Sequence, residues 1–186
     1  MTPRHAAEIA DALAQRLGPI EPSPAHDENA RLSAFANPKT ADAIDATIEE
    51  GLRTAGAVEI TAQYRKGPRK TTFQGGMYLR PVIVLCDSFA HPLANREFLF
   101  PFASVVPVAQ SEMLEQIGPS LVVTAITQDP AFIEALLESP RIERLNLGPI
   151  ATGQISWDQP HEGNLFEFLY RRRSLDLAWP RPGSTP

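Results

Sequence analysis

The sequence has little cysteine and no long apolar run. Cys86 is the one cysteine among 186 residues, and a single thiol cannot build a disulfide framework or a cysteine-based zinc site. This usage favours a reducing cytoplasm. No apolar segment approaches the roughly 18 residues that a membrane-spanning helix needs, and the N-terminus lacks the pattern of a secretory signal peptide. We therefore expect a cytoplasmic protein that makes no use of a membrane.

Blocks of positive charge are also scarce. The net charge is −5, and the one basic block is Arg171, Arg172 and Arg173. A nucleic-acid-binding protein needs a basic face, so we expect no nucleic-acid partner. No phosphate-binding GxxxxGK[ST] loop, no GxGxxG turn and no HExxH motif occurs. The four histidines show no metal-ligand spacing, so we expect no metal site.

Apolar residues at helical spacing predict several helices. The first helix ends at Gly18 and should bury one face. The residues expected on that face are Ile9, Leu13 and Leu17, with Ala6 and Ala10. Asp129 and Pro130 together predict a capped helix that runs to about residue 137. The other helices are expected over residues 39–54, 111–117 and 164–173.

Shorter apolar or alternating runs predict strands. These are expected over residues 57–64, 78–86, 104–108, 121–127 and 142–148, with an exposed turn over residues 65–76. The continuously apolar run 121–127 is typical of a strand that is buried on both faces. Strands alternating with helices predict an α/β fold, a layered sheet flanked by helices. We expect one domain over residues 1–175 and a flexible tail over 176–186.

Two groups of residues are catalytic candidates. Cys86 could act as a nucleophile, but Asp87 beside it disfavours a thiolate. Because free cysteine is usually buried, we interpret Cys86 as a packing residue. His161 and Glu162 could serve acid–base chemistry, but we favour a structural role for them at the start of the last helix.

The octapeptide NREFLFPF, residues 95–102, places one carboxylate among apolar side chains. Glu97 is followed by Phe98, Leu99 and Phe100. A charge among apolar groups is costly unless it is hydrogen-bonded. Pairing of Glu97 with Arg96 or with another surface cation is one solution.

A second solution comes from a longer pattern. The segments YLRPVIVLCD, HPLANREFLFPFASVVPV, LVVTAITQD and RIERLNLG follow each other in one order. That order resembles the C-terminal half of the catalytic domain of NAD(P)-dependent aldehyde dehydrogenases, and the resemblance covers residues 4 to about 173. It implies the α/β fold of that catalytic domain.

The resemblance also implies a cofactor contact. In that family a glutamate hydrogen-bonds the hydroxyls of the nicotinamide ribose, and an aromatic residue two positions later lies near the nicotinamide ring. The matching positions here are Glu97 and Leu99. Pro101 matches the family's proline, and Phe100 stands where the family has glycine. The implied cofactor is NAD or NADP.

The family's catalytic cysteine lies upstream of the segment that this chain matches, as do its general base and its dinucleotide-binding fold. We therefore expect a C-terminal portion of a longer dehydrogenase, or a truncated reading frame, that is inactive alone. The full-length protein would oxidise an aldehyde to a carboxylic acid and form a homo-oligomer. Asn146 is expected to have a structural hydrogen-bonding role. The alternative is a non-catalytic binding or oligomerisation module derived from the same fold.

Overall fold

The computed structural model describes residues 3–154 and 174–177. The chain divides into two compact units, residues 1–109 and residues 110–186. Both contain helices and strands, so the α/β class expected from the sequence is confirmed. The single domain expected over residues 1–175 stays a prediction. None of the described helices is long and apolar enough to cross a membrane.

Two helices and five strands make up the first unit. They are α1 (Pro3–Leu17), α2 (Pro38–Arg53), β1 (Ala57–Glu59), β2 (Lys70–Phe73), β3 (Gly76–Leu79), β4 (Val82–Cys86) and β5 (Phe102–Val105). Strands β1, β4 and β5 form one sheet in that order, with β4 antiparallel to β1 and parallel to β5. Strands β2 and β3 form a separate antiparallel hairpin.

Alanines make the buried face of α1. Ala6, Ala10 and Ala14 are fully buried and pack against β4 and β5, because small side chains at a spacing of four let the helix lie close to the sheet. Ile9 and Leu13 were expected on this face, but they are 43% and 36% exposed. The predicted face was therefore confirmed for Ala6, Ala10 and Leu17, which packs against the core, and wrong for Ile9 and Leu13.

Glycine at position 18 allows α1 to end against its neighbours. The amide of Gly18 donates to the carbonyl of Ala14 over 2.8 Å. A Cβ atom at position 18 would lie 2.8 Å from the Cβ atom of Tyr64. A larger residue would therefore push α1 away from the turn that follows β1.

Helix α2 begins at a conventional cap. The side chain of Asn37 accepts a hydrogen bond from the amide of Lys39 over 3.0 Å, which satisfies one of the free amides of the first turn. At the other end, Gly51 packs directly on Leu93. The cap stabilises the first turn of α2, and the contact with Leu93 holds its last turns against the loop after β4.

Three sequence predictions in this unit were wrong. The strand expected over 57–64 stops at Glu59 and continues as a short 3₁₀ helix, Thr61–Gln63. The exposed turn expected over 65–76 contains β2 and the turn of the hairpin. The strand expected over 78–86 is interrupted at Arg80 and Pro81, so that its halves belong to different sheets. Proline at this point lacks the amide that a continuous strand would use.

Two helices and three strands make up the described part of the second unit. They are α3 (Gln110–Ile117), β6 (Ser120–Ala125), α4 (Pro130–Glu138), β7 (Ile142–Leu147) and β8 (Ser174–Leu177). The strands form a parallel sheet in the order β6, β7, β8. The core consists of Ala125, Leu136, Ile142, Leu145 and Leu147.

The cap predicted for α4 is confirmed, since Asp129 accepts from the amide of Ala131 over 3.1 Å. Strand β6 is only half-buried, with Leu121 47% exposed, so the expectation of burial on both faces was wrong. Asp176 and Leu177, expected in the tail, belong to β8. The helix expected over 164–173 lies outside the described residues.

Candidate functional site

The segment 95–102 has two faces with opposite character. Phe98, Phe100 and Phe102 form a cluster of three rings, with centroids 4.8 Å apart for Phe98 and Phe102 and about 6 Å apart for the other two pairs. Phe100 and Phe102 also pack on the core around Val84. Glu97, just before Phe98, and Leu99, between Phe98 and Phe100, are exposed. Exposed and half-buried side chains thus alternate along residues 97–102.

Glu97 is therefore not enclosed by the phenylalanines that surround it in the sequence. Its carboxylate forms no hydrogen bond or ion pair with any other described residue. The side chain of Arg96 instead donates to the carbonyl of Pro92 over 3.2 Å. The carboxylate of Glu97 is therefore solvent-exposed, and its pairing with Arg96 is absent within residues 3–154 and 174–177.

Leu99 projects from the same face and is 88% exposed. It forms one wall of a cleft of about 240 Å³ between residues 31–35 and residues 99–101. The lining residues are Arg31, Leu32, Ser33, Ala34, Phe35, Leu79, Leu99, Phe100 and Pro101. The opposite wall is anchored by the amide of Phe35, which donates to the carbonyl of Met77 over 2.8 Å. The cleft is small, polar and apolar atoms share its lining about equally, and one arginine contributes to it.

Sequence reasoning found Glu97 and Leu99 but missed the opposite wall of the cleft. Residues 31–35 carry no motif, and they reach the 99–101 segment from more than 60 positions away in the chain. No local pattern reports such a contact. The cleft therefore became visible only in the fold.

Cys86 has the environment of a packing residue. Its side chain is fully buried, and burial, together with the negative charge of Asp87, raises the pKa of the thiol to about 11. The interpretation of Cys86 as inert is thereby supported, because the thiolate is the nucleophilic form.

His91 lies beside Cys86, with Nδ1 3.8 Å from the Sγ atom. Its ring is already used by the backbone. Nδ1 accepts the amide of Leu93 over 3.1 Å, and Nε2 lies 3.3 Å from the carbonyl of Thr54, to which it donates. This assigns the Nε2–H tautomer. His91 thus links the end of α2 to the loop after β4 and is not available as a base for the thiol.

Sequence reasoning also missed a buried ion-pair cluster. Arg69 is 4% exposed and binds three carboxylates, those of Asp45 at 2.8 Å, Glu49 at 2.6 Å and Glu59 at 2.6 Å. Burial alone would lower the pKa of the guanidinium, but the charge of Glu59 and the hydrogen bonds to Asp45 and Glu49 outweigh it and raise the pKa. Arg65 also pairs with Glu59. The cluster joins α2, β1 and the hairpin, so its role is structural.

Of the remaining candidates, Asn146 lies within the described residues, whereas the others lie outside them. Asn146 is fully buried and donates from Nδ2 to the hydroxyl of Thr124 over 3.1 Å, which agrees with its expected hydrogen-bonding role. His161, Glu162 and the arginine block 171–173 lie outside the described residues. Within residues 3–154 and 174–177, no three histidine, cysteine or acidic side chains are grouped as a metal site.

Comparison with known proteins gives a likeness of fold. No protein-family profile matches the chain, and no curated protein sequence matches it. Among solved structures it is similar to two single-site mutants of an aldehyde dehydrogenase from Bacillus cereus. The TM-scores are 0.61 and 0.58, the identities are 14% and 15%, and each match covers 80% of this chain. The chain spans about 30% of the length of these structures. The fold is therefore similar to that of part of an aldehyde dehydrogenase.

Proposed function

We propose that this chain supplies the C-terminal part of the catalytic domain of an NAD(P)-dependent aldehyde dehydrogenase. Two observations support the proposal: the likeness of fold over 80% of the chain and an exposed, unengaged Glu97 at the position that the family motif requires. The second observation carries the proposed role of the site, because an acceptor with no internal partner is available to a ligand.

The residues around Glu97 fit the nicotinamide end of the cofactor. A ribose offers hydroxyl donors, and an ionised carboxylate is a strong acceptor for them. Leu99, on the same face, offers an exposed apolar surface to a nicotinamide ring. Phe100 replaces the family's glycine, but its ring lies in the cluster with Phe98 and Phe102. The larger side chain is therefore accommodated within the unit.

In the parent reaction, NAD(P) would accept a hydride from the aldehyde after a cysteine has attacked it. Within the described residues, the one thiol is Cys86, which is buried and has a raised pKa. In this reaction the chain would bind the ribose through Glu97 and provide apolar surroundings for the nicotinamide ring. We expect the chain alone to show no NAD(P)-dependent aldehyde oxidation.

Titration with reduced nicotinamide mononucleotide tests the ribose contact directly, because this probe carries the relevant ribose and lacks the adenosine half. Glu97→Gln should weaken binding about 10-fold, since a hydrogen bond to a charged acceptor contributes about 1.5–3 kcal/mol. Glu50→Gln, an exposed change on α2, is the matched control and should leave affinity unchanged. Equal affinity for the wild type and Glu97→Gln, or no binding by the wild type, would contradict the proposal. Robust turnover by the purified chain would contradict the expected inactivity.

A non-catalytic assembly module is the second candidate. It is favoured by the high exposure of three apolar side chains, Leu99 at 88%, Ile126 at 79% and Val58 at 57%, because exposed apolar surface often marks an interface. Light scattering after size-exclusion chromatography separates the two candidates. A discrete oligomer that unfolds cooperatively and binds no mononucleotide supports the module, whereas a monomer excludes it.

We further infer that the protein works in the cytoplasm. Cys86 is buried in the first core and paired with no second cysteine in the sequence. Such a thiol is compatible with a reducing compartment. Growth of cells that express a tagged chain, followed by fractionation, tests the location.

A further inference from the structure

Strand β7 carries two buried polar side chains on one face. Arg144 is 1% exposed and Asn146 is fully buried. They are two positions apart, so their Cα atoms lie about 6.6 Å from each other on the same side of the strand. The residues between and after them, Leu145 and Leu147, belong to the apolar core with Leu136. One face of β7 is thus hydrophobic and the other carries a charge.

The charge on Arg144 is incompletely paired. Its Nη2 atom donates to the carbonyl of Gln154, whereas Nε and Nη1 are buried and have no hydrogen-bond partner among the described residues. A buried charge without a partner is strongly unfavourable. Most N–H donors of this guanidinium therefore have no acceptor among the described residues.

Asn146, in contrast, has a buried acceptor atom without a hydrogen-bond donor. Its Nδ2 donates to the hydroxyl of Thr124 over 3.1 Å, and that hydroxyl donates in turn to the carbonyl of Ile150 over 3.4 Å. This chain of donors assigns the orientation of the amide. The Oδ1 atom of Asn146 is left buried with no donor among the described residues.

The neighbouring strand does not supply the missing anion. In the parallel register, Arg144 lies beside Ser174, and Asn146 lies beside Asp176. Asp176 is half-buried and forms no ion pair with Arg144. No carboxylate of residues 3–154 or 174–177 pairs with this guanidinium.

We propose that Arg144 and Asn146 form a binding site for a small carboxylate that carries a hydroxyl or amino group beside it. Nη2 carries two N–H groups and gives one of them to the carbonyl of Gln154. The second, together with the free N–H of the atom that shares its edge, Nε or Nη1, presents two donors to the two oxygens of a carboxylate. Such charge-assisted pairs are among the stronger hydrogen bonds. The Oδ1 atom of Asn146 then accepts from the adjacent hydroxyl or amino group.

Thermal unfolding of the whole chain tests this site with defined probes. Sodium lactate and sodium propionate differ by one hydroxyl group, and sodium chloride at equal ionic strength is the reference. We expect both carboxylates to raise the melting temperature by about 3–6 °C at saturating concentration, with the larger rise for lactate. Chloride should have no comparable effect.

Two variants make the test specific. Arg144→Met removes the guanidinium at similar volume, so it should abolish the response to both carboxylates and melt no lower than wild type without ligand. Arg141→Met, an exposed arginine just before β7, is the matched control and should keep the full response. Asn146→Leu should make the responses to lactate and propionate equal.

Other outcomes would overturn the site. An equal rise with chloride means that the response is not to a carboxylate. A large loss of stability in Arg144→Met with no response of the wild type means that a carboxylate of the chain itself pairs with Arg144; the sequence holds Asp158, Glu162 and Glu167 in residues 155–173. Equal responses of the wild type to the two probes remove Asn146 from the site. Neither probe involves a nucleotide, so these results leave the proposal for Glu97 untouched.

Discussion

Arg69 is the residue whose surroundings say most about the first unit. It is buried among three carboxylates that come from two elements, Asp45 and Glu49 on α2 and Glu59 on β1. Among the described residues, removing Arg69 would leave Glu59 with only Arg65 as an ion-pair partner and Asp45 with only Lys70. The stability of the hairpin against α2 should therefore depend strongly on this one side chain.

Replacing Arg69 with methionine tests this dependence. We expect the free energy of unfolding to fall by about 2 kcal/mol, because the buried carboxylate of Glu59 keeps only Arg65 as its ion-pair partner in the described part of the chain. Arg4→Met removes an exposed i,i+4 pair with Glu8 and should change stability by less than about 0.5 kcal/mol. Urea titration followed by circular dichroism measures both. Equal losses in the two variants would show that burial of Arg69 adds nothing.

The raised pKa of Cys86 makes a prediction at alkaline pH. A thiol whose pKa rises to about 11 in the folded protein holds its proton more tightly there than in the unfolded chain. Its contribution to stability is complete below about pH 9 and is lost as the pH rises through about 11. Cys86→Ala should therefore lose less stability than the wild type between pH 9 and pH 11. Parallel pH profiles for the two proteins would contradict the shift.

At the scale of elements, the helices followed from the sequence and the hairpin did not. Helical spacing placed α1 and α2 to within a residue or two, and the cap at Asp129 placed α4. The hairpin was missed because its basic residues look like a solvated turn. Their acidic partners lie up to 28 positions away, as for Lys70 and Asp42. Charge neutralisation at that distance leaves no local pattern.

The candidate site was likewise predicted only in part from the sequence. Glu97 and Leu99 stood out because one family motif passes through them, yet the motif gave no sign that Glu97 would be exposed. Exposure follows from the alternation set by Phe98 and Phe102. The buried charge of Arg144 was missed altogether, because an arginine in a short apolar strand can as easily face solvent.

The hairpin turn makes a prediction of its own. Gln74 and Gly75 both have positive φ angles, 47° and 81°, as a two-residue type I′ turn requires. Glutamine is poorly suited to that conformation, so Gln74→Asn should stabilise the protein by about 0.5 kcal/mol, whereas Gly75→Val should destabilise it by about 1 kcal/mol or more. The shift of the urea midpoint measures both changes. No gain from Gln74→Asn would argue against this turn.

At the scale of the whole molecule, the two units have separate cores. The first is centred on β4 and the second on β7. Local stability can differ between such parts of a chain, and amide hydrogen exchange reports it segment by segment. A destabilising substitution in one unit should therefore speed amide exchange in that unit more than in the other.

Hydrogen exchange of Arg69→Met should show this. We expect faster exchange in β1, β2 and β3, which the Arg69 cluster joins to α2, and unchanged exchange in β6 and β7. Mass spectrometry of peptides from the quenched protein separates these strands. If β7 accelerates as much as β3, the two cores unfold together and the division into units has no energetic meaning.

The two-faced segment 97–102 restricts how its length can change during evolution. Deleting a single residue there would turn the phenyl rings outward and drive the acidic side chain into the interior, since neighbouring positions point in opposite directions. Removing two residues would keep each remaining side chain on its own side. Surviving length variants of this segment should accordingly differ by even numbers of residues.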